Sequence, residues 1–91
     1  VIEDPEIDGL RREIDELDGQ MLRLIQKRLE RVLRVGDRKR ERGLPVYDPK
    51  REELLLERLL SGLEPPLDTP LVREVFGVLV RECRRIELEK H

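Results

Sequence analysis

The amino-acid sequence predicts an all-α protein of three helices, the first very long, that forms an intertwined helical homodimer. Three observations predict it. Apolar residues recur in a three-four alternation at Ile7, Leu10, Ile14, Leu17, Met21 and Leu24, then at Val32 and Val35. That is the mark of an amphipathic helix with a coiled-coil-like seam. No segment shows the period-two alternation of a half-buried strand. The first helix is also longer than a domain of this size can cover.

Helix 1 is predicted over about residues 7–42. No proline falls between Pro5 and Pro45. Asp8, Glu13 and Asp15 stand near its start and Arg38, Lys39, Arg40 and Arg42 near its end, both suited to the helix dipole. Gly43 reads as the residue just past the helix, and Pro45 follows as a stop. Asp48-Pro49 opens helix 2, over about 49–61, with Asp as N-cap and Pro at the first helical position. Leu54, Leu55, Leu56, Leu59 and Leu60 form its apolar part, and Ser61-Gly62 ends it. Glu64-Pro65-Pro66 reads as loop. Thr69-Pro70 repeats the cap-plus-proline device and opens helix 3, over about 70–90. Val72, Phe76, Leu79, Val80 and Cys83 share one of its faces.

About 36 residues at about 1.5 Å each make a first helix of about 54 Å. A compact domain of this length has a diameter of roughly 30 Å. The far half of the seam can be buried only against another chain, and an intertwined homodimer is the simplest closed solution.

The 91 residues allow one domain and a thin core. Lys and Arg number 19 against 21 Asp and Glu, so the 44% of charged residues nearly cancel. This balance argues against a nucleic-acid binder, which carries a basic excess. The apolar runs are far short of the roughly 20 residues of a membrane span, and no signal-peptide core precedes the first charges. A soluble, cytoplasmic protein is expected, and a start on Val1 is expected of a trimmed chain, a piece of a longer one or a non-standard start. Cys83 is the lone cysteine, which excludes an intramolecular disulfide and a cysteine zinc cluster. The lone histidine is His91, so most histidine-based catalysis and metal binding is excluded as well. Ala, Asn and Trp are absent; the high charge and scarcity of thermolabile residues resemble thermophile usage, and the lack of Ala has no physical explanation.

Several charges stand where a seam would be apolar. Continuing from Ile7 in sevens gives Ile14, Met21, Arg28 and Val35. Arg28 is either paired with a core carboxylate, snorkelling to solvent, or placed for an anionic ligand. Lys39 lies eleven residues on, within about 20° of the same face and about 16 Å along the axis. The two long cations could grip a small dianion, although Lys39 also reads as a solvated last-turn lysine. Arg11 is too far along the helix to serve the same ligand from the same chain; it is a surface arginine, or it enters a partner's site. Asp48, Arg51 and Glu52 cluster at the start of helix 2, with Glu52 one turn beyond the capping Asp48. Phe76, Val80, Cys83 and Glu87 follow helical spacing, so Glu87 is a carboxylate at the end of an apolar stripe, or a frayed and solvated residue.

Taken together, the residues resemble the all-helical class of chorismate mutase over nearly the whole chain. The resemblance rests on Leu10-Arg11-Arg12-Glu13-Ile14-Asp15, Leu17-Asp18, Arg28 and Val35-Gly36-Asp37-Arg38-Lys39. Its most specific stretch is Pro45-Val46-Tyr47-Asp48-Pro49-Lys50-Arg51-Glu52. It implies a dimer with two equivalent sites, each using both chains, that converts chorismate to prephenate. It implies that Arg11 from the partner, Arg28 and Lys39 hold the two substrate carboxylates, with Lys39 also near the ether oxygen. Arg51 would support the same anionic region, Asp48 and Glu52 would receive the ring hydroxyl, and Val35 and Val80 would be wall residues.

The chemistry it implies is a unimolecular [3,3] rearrangement, which requires no nucleophile, metal, cofactor or redox group. Holding the enolpyruvyl arm over the ring and aiming donors at the ether oxygen suffices. Where many members carry Ser and Gln near the end of helix 3, this chain has Cys83 and Glu87. Cys83 is a weaker donor. Glu87 donates to the ether oxygen only when protonated, so activity is expected to be highest on the acid side. Two other functions compete. One is an isochorismate pyruvate lyase-like enzyme of the same fold, against which Asp48 and Glu52 argue. The other is a non-catalytic helical dimerisation or regulatory module, which leaves Arg28, Lys39 and Glu52 unexplained. Relatives occur free or fused to other shikimate-pathway enzymes, so a fused or associated enzyme of that pathway is a further implied partner.

Overall fold

The computed structural model describes residues 4–90; Val1 and His91 lie outside the described residues. Among the described residues the regular structure is three α-helices: α1 (Pro5–Glu41), α2 (Pro49–Leu60) and α3 (Thr69–Glu89). No strand occurs among the described residues, and no helix among them is long and apolar enough to cross a membrane.

Local chemistry explains the helix ends. Helix α1 begins earlier than the apolar periodicity predicts, because Asp4-Pro5 is a start signal of the same kind as Asp48-Pro49. Asp4 Oδ1 accepts from the backbone N–H groups of Glu6, at 2.9 Å, and Ile7, at 3.3 Å. Its carboxylate thereby satisfies donors that have no intrahelical partner. The far end closes on Gly43, whose φ of 66° lies in the left-handed region. There the Gly43 N–H reaches the Arg40 carbonyl at 3.1 Å and the Leu44 N–H reaches the Lys39 carbonyl at 2.8 Å. These two bonds form a Schellman closure, which favours glycine at that position.

Helix α2 starts as its sequence predicts, with the Asp48 carboxylate accepting from the Arg51 N–H at 3.1 Å and Pro49 following the cap. Helix α3 corrects an expectation. Its cap is Asp68, which accepts from the Leu71 N–H at 2.9 Å; Thr69 is already the first helical residue. An ionised carboxylate also meets the positive end of the helix dipole, an advantage a threonine hydroxyl lacks.

The chain divides into two compact units after Arg31. The first consists of the early turns of α1. Its apolar seam stands half in water: Ile7 is 46% exposed, Ile14 52% and Met21 54%. The second unit contains the last turns of α1 with α2 and α3. Helix α2 packs on α3. Among the described residues the buried positions are few: Val72, Cys83 and Glu87 on α3, and Gly36 on α1.

Candidate active site

Most of the expected site residues belong to the second unit: Val35, Lys39, Asp48, Arg51, Glu52, Val80, Cys83 and Glu87. Arg11 and Arg28 belong to the first unit, where Arg11 is exposed and Arg28 half-buried.

Lys39 is placed by the Schellman closure. The turn at Gly43 reverses the chain, and the half-buried Lys39 Nζ donates to the Val46 carbonyl at 3.1 Å. The solvated last-turn reading of Lys39 therefore gives way to a lysine folded against the loop that leads into Asp48.

Glu87 is 6% exposed, which rules out a frayed, solvated side chain. The reason is Gly36. A Cβ added at Gly36 would lie 2.6 Å from Glu87 Oε2 and 2.9 Å from its Cδ and Cγ. The missing side chain leaves the space that the Glu87 carboxyl occupies. Arg40 joins the same contact, with Nη2 donating to the Glu87 carbonyl at 3.0 Å. Its other terminal nitrogen, Nη1, is buried without a hydrogen-bond partner among the described residues. Lys90 Nζ pairs with Asp37 at 3.1 Å, a second tie between α3 and the end of α1. Glu87 thus lies against the α1 turn that bears Lys39. Cys83, one turn before it, is 5% exposed, and Val80 is half-buried.

Glu52 has a partner that sequence reasoning missed. Arg84 Nη1 reaches both carboxylate oxygens, at 3.1 and 3.0 Å. The Arg84 guanidinium also sits over the Tyr47 ring, 4.3 Å from its centroid, in a cation–π contact. Tyr47, Glu52, Val80 and Arg84 share the lining of a cavity of about 310 Å³ between α2 and α3, which Phe76 and Leu56 extend on its apolar side. A signal for Arg84 existed: it lies four residues after Val80 and three before Glu87, beside the apolar stripe. Gly36 and Arg40 carried no comparable signal. Of the wall residues, Val35 is 51% exposed. Asp48 and Arg51 are exposed at the mouth of α2, tied by the capping bond. Farther along α3, a hydrogen bond from Arg85 holds the Glu82 carboxyl below the ordinary carboxylate range, and Arg85 also pairs with Glu89.

The second unit thus fixes Lys39 against the Val46 carbonyl, pairs Glu52 with Arg84 and buries Glu87. Comparison with known proteins places the chain in a family. The sequence is 41% identical over 61 residues to the intracellular chorismate mutase of Mycolicibacterium smegmatis, an alignment that covers 67% of this chain and spans 59% of that relative. The fold matches form II of the chorismate mutase from Thermus thermophilus with a TM-score of 0.87 and 34% identity, over 90% of this chain and 93% of that one. It matches the Helicobacter pylori chorismate mutase, solved in complex with prephenate, with a TM-score of 0.86 and 31% identity, over 94% of this chain and 93% of that one. The family model for chorismate mutase type II fits residues 10–88, from the first turns of α1 nearly to the end of α3, and the chain belongs to that family.

Proposed function

We propose that this chain is a chorismate mutase that rearranges chorismate to prephenate. The observation that carries the reading is Glu87, a carboxyl buried against the α1 turn that bears Lys39. Burial of an acid among so few buried residues calls for a role. This reading sets the Glu87 carboxyl group and the Lys39 ammonium at the breaking ether bond. As the C–O bond lengthens, negative charge grows on the ether oxygen, and donors already aimed at it stabilise the transition state more than the ground state.

The other roles follow the family pattern. Arg28, Lys39 and a second copy's Arg11 hold the substrate carboxylates, with Arg51 supporting the same region. Asp48 and Glu52 receive the ring hydroxyl, and Val35, Val80 and Cys83 wall the site. The functional form is a homodimer, because the exposed seam of α1 and the role of Arg11 both call for a second copy. The name of the mycobacterial relative supports an intracellular enzyme.

The test is a spectroscopic assay of chorismate consumption with product identification. Prephenate forms and pyruvate does not. Lys39→Ala abolishes most turnover while the helical circular-dichroism spectrum is unchanged. Release of pyruvate would indicate the lyase instead, and no consumption at all would leave a helical dimerisation module.

A further inference from the structure

We propose that Arg84 is a positioning residue that sets the enzyme's preference for a substrate bearing a ring hydroxyl. The inference rests on the proposed mutase reading and extends it to a residue which that reading does not use.

Arg84 Nη1 lies 3.1 and 3.0 Å from the two Glu52 carboxylate oxygens, and the two side chains are 29% and 31% exposed. A surface ion pair is screened and adds little to stability. This pair is mostly withdrawn from water and lines the cavity between α2 and α3. A carboxylate offers about four acceptor positions. The single Arg84 nitrogen takes one on each oxygen, so Glu52 is held in one orientation and still accepts a hydroxyl proton.

Arg84 is itself held. Its guanidinium stacks over Tyr47, the residue next to Asp48. One side chain from α3 therefore braces Glu52, one of the two carboxylates assigned to the ring hydroxyl, by direct pairing. An unbraced glutamate samples several rotamers and has to be ordered by the substrate. A braced one is an acceptor in place before binding, and that is the condition for orienting a reactant.

The experiment compares chorismate with an analogue whose ring hydroxyl is replaced by hydrogen, which remains competent for the rearrangement. Arg84→Met lowers kcat/KM for chorismate by about tenfold, mainly through KM, and leaves kcat/KM for the analogue unchanged. Arg84→Lys recovers part of the loss. Adding Arg84→Met to Glu52→Gln brings little further loss, because the two residues act as one unit. Should Arg84→Met fail to fold, Arg84→Gln carries the same comparison. Equal losses on both substrates, or additive losses in the double variant, would reduce Arg84 to a packing residue and overturn the proposal while the mutase reading stands. A wild-type chain that consumes neither substrate would overturn the mutase reading, and the role of Arg84 with it.

Discussion

Glu87 and Gly36 form a pair in which one residue exists to make room for the other. The Glu87 carboxyl occupies the volume a Gly36 side chain would need. In a helix, Gly36→Ala brings a propensity gain of about 1 kcal/mol, which offsets part of the cost of displacing Glu87. The expected outcome is a folded variant whose melting temperature shifts by only a few degrees and whose kcat drops by about ten- to a hundredfold. Thermal melts and steady-state kinetics check both halves. In the proposed mechanism Glu87 serves the ether oxygen as a donor, so Glu87→Gln, a permanent donor of similar shape, retains turnover and Glu87→Leu loses it, as steady-state kinetics of the two variants would check. Equal, near-wild-type turnover in both would leave Lys39 as the lone donor to the ether oxygen.

Each helix starts from an aspartate that does local work. Asp4, Asp48 and Asp68 all accept backbone N–H bonds at helix starts. In the proposed enzyme Asp48 has a second duty toward the ring hydroxyl, and Asp68 has none. Removing either cap costs about 1 kcal/mol, so Asp48→Ala and Asp68→Ala should melt alike. Their kinetics should differ: Asp68→Ala retains wild-type kcat/KM, and Asp48→Ala loses it. Equal kinetics in the two variants would show that Asp48 is a cap and nothing more. The end of α1 follows the same logic, since the closure at Gly43 is what turns the chain back so that Lys39 meets the Val46 carbonyl.

For the molecule as a whole, the half-exposed seam of α1 decides what to expect in solution. Ile7, Leu10, Ile14, Leu17, Met21 and Leu24 are between 46% and 64% exposed. A continuous apolar row of this kind marks an association surface. Light scattering at micromolar concentration should return twice the mass of one chain. Mixing Arg11→Ala chains with Arg28→Ala chains should restore activity, because one site in each mixed dimer then has both arginines intact. A folded monomer, or no recovery despite subunit exchange, would remove the partner's Arg11 from the site.

What could be read without a structure was whatever depends on near neighbours in the chain. The three-four apolar rhythm, Asp48-Pro49 as a helix start and Gly43 as a helix end all depend on bonds between residues at most five positions apart. Local rules also misled at their margins: Thr69-Pro70 read as a cap although the stronger acceptor Asp68 stood one residue earlier, and Asp4-Pro5 went unread as a start. The positions of Lys39, Glu52 and Glu87 suggested a site before any contact was visible, because charge on an apolar face demands a reason. The contacts themselves, Glu87 filling the space at Gly36, Arg84 clamping Glu52, and Tyr47 under the guanidinium, join residues far apart in the chain. No periodicity encodes them. They exist only when α3 packs against α2 and the end of α1, since only packing withdraws a carboxyl from water and brings a cation from another helix within hydrogen-bonding distance.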